Sequence, residues 1–136
     1  MDLVALIIFL LPVYLANSSP VVLGGGKPID FGMKFSDGRR LLGDGKTIRG
    51  FAAGVACGAL AGILVADYYH LSFFADYRAQ LFGAVALALG TLVGDAVGSF
   101  IKRRFGVDSG KPFFLDSAAF LAVALLFVYP FANATL

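Results

Sequence analysis

Four apolar runs divide the chain, roughly Leu3–Leu23, Ile48–Tyr68, Leu81–Ile101 and Phe113–Phe131, and none holds more than two charged residues. At a rise of about 1.5 Å per residue, a run of about 20 residues crosses a hydrocarbon core of about 30 Å. The pattern predicts an all-α, polytopic membrane protein with four transmembrane helices in one membrane domain, residues 1–136. The first run contains Pro12 and a polar Asn17-Ser18-Ser19-Pro20 patch, so it is expected to be a kinked or interrupted helix. With Asp2 and no cation before its apolar stretch, it does not read as a cleavable signal peptide.

The polar segments between the runs differ sharply in charge. Lys27, Lys34, Arg39, Arg40 and Lys46 lie between the first two runs, with Arg49 at the start of the second, and Lys102, Arg103, Arg104 and Lys111 lie between the last two. The middle connection sets only Arg78 against Asp67 and Asp76. Positive loops stay in the cytoplasm, so the connections at about 24–49 and 102–112 are expected to be cytoplasmic and the N-terminus outside. Within the second run Gly50, Gly54, Gly58 and Gly62 recur every four residues, and Ala86, Gly90, Gly94 and Gly98 do so in the third. Such stripes of small residues let helix backbones approach closely in lipid.

Composition adds exclusions. With 59% hydrophobic and 15% charged residues and a mean hydropathy of +0.84, the chain cannot be a soluble globular domain. Its nine acidic residues are all aspartates, so any carboxylate chemistry rests on Asp. Cys57 and His70, each alone, can form neither an intrachain disulfide nor a histidine metal site.

The ionisable residues inside the apolar runs need an explanation, because charge is costly there. Asp95, Ser99, Lys102 and Arg103 fall at helical positions i, i+4, i+7 and i+8, which share one face and form a polar strip leading to the loop side. An Asp95–Arg103 ion pair explains the strip equally well. Arg104 points to the opposite face, toward anionic headgroups. Pro112 suits a first helical position and would set Asp116 about one turn inside the fourth helix; a helix-dipole or capping role is the alternative. Asp95 and Asp116, on neighbouring helices at one membrane face, suit Mg²⁺, which prefers carboxylate, water and phosphate oxygens. The loop GGGKPIDFGMKFSDGRRLLGDGKTIRG offers cations and backbone amides to polyphosphate, or a basic surface to anionic lipid. Gly45-Lys46-Thr47 is not a P-loop, since Arg40 stands where that motif needs glycine.

Two segments together resemble the cytidylyltransferases that make CDP-activated lipids. GDAVGSFIKRRFGVDSGKPFFLD is similar to the signature of that family, and GDGKTIRG to its Gly-Lys-Thr segment. The compact size and the PIDFG, DGRRLLGDGKT and SFIKRR stretches look closest to the CDP-archaeol synthases, over about Asn17 to Asp116. The resemblance implies that CTP and an unsaturated archaeol phosphate, an isoprenoid ether glycerol phosphate lipid, give CDP-archaeol and pyrophosphate at the cytoplasmic face of the cell membrane. By the same resemblance Asp95, Asp116, Lys102 and Arg103 are catalytic, with Asp95 and Asp116 holding Mg²⁺. Lys46, Thr47, Ser99, Asp44 and Arg40 bind the CTP and phosphate groups, and no nucleic acid is involved. The family pattern has a second aspartate three residues after Asp116, where this chain has Ala119. The chain is therefore expected to bind CTP·Mg²⁺ but turn over slowly or not at all, and Ala119→Asp to raise the rate far more than the affinity. The archaeal branch also carries a fifth helix beyond these four.

Three rivals stand beside this reading. The same chemistry on phosphatidate would make CDP-diacylglycerol, and a small transporter or membrane assembly subunit could line a pathway with the polar strip. A CDP-alcohol phosphotransferase is excluded because its Asp-Gly-x-x-Ala-Arg pattern is absent: Asp37-Gly38 runs on to Leu41-Leu42.

Overall fold

The computed structural model describes residues 2–108 and 110–132. Four helices follow one another, α1 (Leu3–Leu23), α2 (Ile48–Tyr68), α3 (Tyr77–Arg104) and α4 (Phe114–Val128), the last continued by a 3-10 turn, Tyr129–Phe131. Each span is long and apolar enough to cross a membrane. The first two coincide with the apolar runs of the sequence. The third is longer at both ends, because hydropathy marks only its lipid-depth portion while Asp76 caps the helix by accepting from Ala79 N–H at 2.8 Å. α1 is a single helix through Pro12 and Pro20, so of the two forms expected, kinked or interrupted, the interrupted one does not occur. A helix in lipid has no water to take up broken backbone bonds, so continuity around a proline is favoured where a neighbour packs on it, as α2 does on Pro12.

α3 is the central element, packed on α4, α2 and α1, while α1 and α2 form a second close pair. Phe9, Val13, Leu71, Phe74, Leu87, Ala124 and Val128 make the buried apolar cluster, toward the end opposite the charged loops. The two glycine stripes account for the close approaches. A β-carbon at Gly58 would fall 2.7 Å from Ala88 Cβ on α3 and 2.8 Å from Ala16 Cβ on α1, so the α2 stripe is wedged between two helices. A β-carbon at Gly90 would fall 2.8 Å from Ala124 Cα, and one at Gly98 3.3 Å from Asp116 Cα. The α3 stripe thus seats α4 and, at its last position, sets Asp116 against α3.

Candidate active site

The end of the bundle that carries the basic residues is closed by the loop 24–47, which the sequence leaves without regular structure. Its two ends are zipped together: Ile29 N–H donates to Lys46 O at 2.8 Å and Ile48 N–H to Lys27 O at 3.1 Å. Its middle is a small hairpin in which Phe35 N–H donates to Arg39 O at 2.8 Å and Leu41 N–H to Met33 O at 3.0 Å. The organiser is Asp30, whose carboxylate is buried and accepts from Arg40 Nε at 3.2 Å, Arg40 Nη2 at 2.7 Å, and the N–H groups of Gly32, Leu42 and Gly43 at 3.0–3.1 Å. Burial alone would push this carboxyl up, but those five donated bonds together hold it well below the usual carboxylate range. With the folded value depressed, the stabilisation is present at neutral pH and is lost only as pH falls below the ordinary carboxylate pKa of about 4. Sequence reasoning missed Asp30; it is one of three aspartates in this loop, with Asp37 and Asp44, and nothing in its spacing marks it as the buried one.

The loop delivers Lys46 to α3, where Nζ lies 2.5 Å from Asp95 Oδ2. One turn further along α3, Ser99 is buried. Lys102, also buried, crosses to α4, with Nζ 2.9 Å from Asp116 Oδ2 and a second bond to Lys111 O. Helix α4 starts at Phe114, two residues after Pro112, so Pro112 does not occupy the first helical position and Asp116 sits in the first turn. Asp95 and Asp116 are therefore each paired with a lysine from another segment. The Asp95–Arg103 pair considered from the sequence does not form: eight residues rise about 12 Å along the axis, and Arg103 turns instead to Leu42 O, at 3.2 Å, and to Val107 O. Thr47 caps α2, its hydroxyl oxygen accepting from Gly50 N–H at 3.0 Å and Gly25 N–H at 3.2 Å, which leaves its own proton to donate. Arg40 and Asp44 form a separate pair, Nη1 to Oδ1, at 2.7 Å. Ala119 sits one turn beyond Asp116, 3.5 Å from where a β-carbon on Gly98 would lie, so it faces α3 as its spacing from Asp116 requires.

Arg104 corrects the sequence reading most clearly. It does not face headgroups: Nη1 is 2.7 Å from Asp37 Oδ1, Nη2 donates to Arg40 O, and the guanidinium lies 4.8 Å and 4.9 Å from the Phe35 and Phe100 ring centres. It clips the loop hairpin to the end of α3, and Arg39 returns the bond by donating to Arg104 O at 2.5 Å. Hydrogen bonds to a charged group contribute about 1.5–3 kcal/mol. Arg104→Ala is thus expected to loosen the hairpin by about 2 kcal/mol, read as faster hydrogen exchange at Phe35 and Leu41, where a surface arginine would leave both unchanged.

Two hollows flank the paired charges. An apolar groove of about 630 Å³ runs between α2 and α3, lined by Ile48, Phe51, Val93, Val97 and Phe100 and roofed by Ile29 and Leu42. Ile29, Phe51 and Ala96 border both this groove and the small space holding Lys46 and Asp95, so the groove ends at the charged pair. A polar hollow of about 350 Å³ lies between the loop and the α3–α4 connection, with Arg39, Arg40, Asp44, Arg103 and Asp108 on its walls. Of the residues singled out from the sequence, Lys46, Thr47 and Asp95 share one space, Lys102 and Asp116 pair between α3 and α4, Ser99 is buried on α3, and Arg40, Asp44 and Arg103 line the polar hollow. Among the described residues no group of three or more His, Cys, Asp or Glu side chains comes together. A divalent ion here would take one or two carboxylates and complete its shell with water and substrate phosphates, which is the habit of Mg²⁺.

A family model described as CarS-like, CDP-archaeol synthase, matches residues 1–136. The chain is 53% identical over 124 residues to a CDP-archaeol synthase of Pyrococcus horikoshii, covering 90% of this chain and 72% of that one. It is 46% identical over 132 residues to one of Methanococcus aeolicus, covering 92% and 74%. The solved structure of an intramembrane enzyme for archaeal membrane lipids biosynthesis superposes with a TM-score of 0.83 at 41% identity, over 97% of this chain and 80% of that one.

Proposed function

This chain belongs to the CDP-archaeol synthase family and forms CDP-archaeol in archaeal membrane lipid biosynthesis, and we propose that it draws on CTP and Mg²⁺ at the loop-covered end of the bundle, on the cytoplasmic side. The phosphatidate and transporter readings have no support in the relatives it matches. The observation that carries the proposal is the pair of lysine–aspartate contacts, Lys46–Asp95 and Lys102–Asp116, contributed by three separate segments, the first of them placed where the apolar groove ends.

The lipid phosphate is a monoester with a second pKa of about 6, so near neutral pH it is mostly dianionic and needs no strong general base. One of its oxygens attacks the α-phosphorus of CTP, a new P–O–P anhydride bond forms, and the bond to the β-phosphate breaks, releasing pyrophosphate. The protein's part is positioning and charge neutralisation. Asp95 and Asp116 would hold Mg²⁺, which when bound neutralises triphosphate oxygens and stabilises the leaving pyrophosphate. Lys46 and Lys102 pass from the carboxylates to phosphate oxygens as substrate arrives, so no cation is left buried and unpaired. Ser99 and the remaining Thr47 proton donate to the same oxygens. The isoprenoid chains lie in the apolar groove, entered sideways between α2 and α3, which leaves the lipid phosphate at Lys46. Ala119 supplies no ligand, so Asp116 is the only acid that α4 contributes.

Transfer of label from [α-³²P]CTP into the organic phase, dependent on archaeol phosphate and on Mg²⁺, tests the reaction. A Cys57→Ala chain bearing Ser36→Cys tests the orientation: Ser36 lies in the exposed tip of the hairpin, and impermeant thiol reagents are expected to reach it only from the cytoplasmic side. Labelling from outside would remove cytoplasmic CTP from reach and overturn the orientation.

A further inference from the structure

At the basic end of the bundle the loop hairpin carries side chains that water does not suit. Phe31, Met33 and Phe35 are 66%, 55% and 46% exposed, and none of them joins the buried apolar cluster. Phe31 is also held at φ +51°, and among the described residues it is the only one other than glycine with a positive φ. A bulky side chain rarely takes that left-handed conformation, which persists only where the surroundings fix it. Here they do: Phe31 N–H donates to Pro28 O at 3.2 Å, and Gly32 N–H donates to the buried Asp30 at 3.1 Å. The loop accepts backbone strain to turn an aromatic ring outward, where contacts within the chain do not cover it.

We infer that this hairpin is a shallow membrane anchor, in which Phe31, Met33 and Phe35 enter the headgroup–acyl boundary of the leaflet at the basic end. The inference does not depend on CTP or Mg²⁺ and needs only that the four helices span the bilayer. Depth along α3 supports it. Tyr77 opens that helix at the opposite interface, where its hydroxyl donates to Asp67 at 2.5 Å and Asp76 and Arg78 adjoin it in the chain; tyrosine and charge belong at the interface rather than in hydrocarbon. At about 1.5 Å per residue, Phe100 lies about 35 Å further along. That is beyond a hydrocarbon core of about 30 Å but within the roughly 40–45 Å that includes the headgroups. The Phe35 ring packs edge-on against Phe100, 5.5 Å between centres, so the hairpin meets α3 at headgroup depth. Phe105, just past the end of α3, and Phe114, which opens α4, are exposed near the same level.

The position around the bundle agrees. Phe100 lines the apolar groove between α2 and α3, and Ile29 and Leu42, on either side of the hairpin, roof it. Met33 lies two residues before Phe35 and so shares its face of the strand, which continues the groove's apolar surface outward. Lys34, between them, and Lys27 are exposed, and the ion pairs among the described residues use neither. Lysines interleaved with aromatic and apolar side chains suit a surface of lipid phosphates over hydrocarbon. A soluble partner would reach these rings only by displacing headgroups that already stand at their level. Because the hairpin covers Arg104, it takes the headgroup-level position that the arginine does not occupy.

The chain has no tryptophan, so a single introduced one reports its own surroundings. Phe31→Trp and, separately, Met33→Trp are placed in the full chain and reconstituted in vesicles of phosphatidylglycerol and phosphatidylcholine, the latter brominated either near the glycerol end or near the methyl end of its chains. Acrylamide, a neutral quencher present on both sides, reads access from water, and Leu126→Trp on the exposed face of α4 is the embedded reference. Both hairpin tryptophans are expected to emit to the blue of tryptophan in water. They should lose most of their emission to the shallow bromines, less to the deep ones and least to acrylamide. Each variant exchanges one exposed apolar side chain for another, and the second position still decides the matter if the first does not fold. Quenching chiefly by acrylamide would put the hairpin in water, and shielding from bromine and acrylamide alike would put it against protein, such as a second copy of the chain. Either result would overturn the inference while leaving the reaction itself standing.

Discussion

Asp95→Asn is expected to lower CDP-archaeol formation by about a thousandfold or more, at unchanged membrane insertion. The amide has the carboxylate's shape but not its charge, so it cannot hold a divalent cation or orient Lys46, which now lies 2.5 Å away. Loss of a metal contact worth several kcal/mol corresponds to about three decades in rate at about 1.4 kcal/mol per decade. The structural cost is small by comparison, because Lys46 is more than a quarter exposed and can turn to water when its partner becomes neutral. Rate and thermal unfolding measured on the same preparation separate the two effects. Substantial turnover at ordinary Mg²⁺ would make Asp95 a structural partner of Lys46 and nothing more.

The second large effect is expected at a residue with no functional group. A β-carbon at Gly94 would lie 2.5 Å from Phe120 Cα and 2.6 Å from Ala119 O, both backbone atoms of α4 that no rotamer change can move. Gly94→Ala must therefore push α4 off α3, at a cost of about 1–3 kcal/mol or somewhat more. Because Asp116 rides on α4, a displacement of about 1 Å can also cost about a hundredfold in rate. Gly98→Ala makes the comparison informative: there the nearest atoms lie at 3.3–3.5 Å, so stability should fall much less. Melting in detergent should rank Gly94→Ala well below Gly98→Ala and the parent. Equal melting temperatures would mean that α4 is not seated on the stripe.

These two positions show how unevenly the site can be read from the chain. Asp95 stands out at once, since a carboxylate at lipid depth demands a reason, and the Gly90-Gly94-Gly98 repeat announces a close helix contact without saying which helix fills it. The structure answers with α4, and thereby explains how Asp116 comes to face α3. Arg104 is the opposite case. Helical geometry correctly separates it from the Asp95 face, but the inference that it meets headgroups fails, because the loop folds back over that face and brings Asp37 and Phe35 to it.

What the sequence determines by itself is whatever depends on local or solvent-averaged physics. Apolar length sets the number of spans, since each must cover a fixed hydrocarbon thickness with its backbone bonds satisfied internally. Clustered cations put the loop 24–47 and the α3–α4 connection together at one end, and the motif order carries the family resemblance. What only the tertiary structure decides is which charge meets which. Lys46 and Asp95 are 49 residues apart, Lys102 and Asp116 14, and Arg104 and Asp37 67. The buried Asp30, which gathers the loop around Arg40, belongs to the same class. Ion pairs of this kind depend on where a folded loop and two helix ends converge in space, and no periodicity along the chain records that convergence.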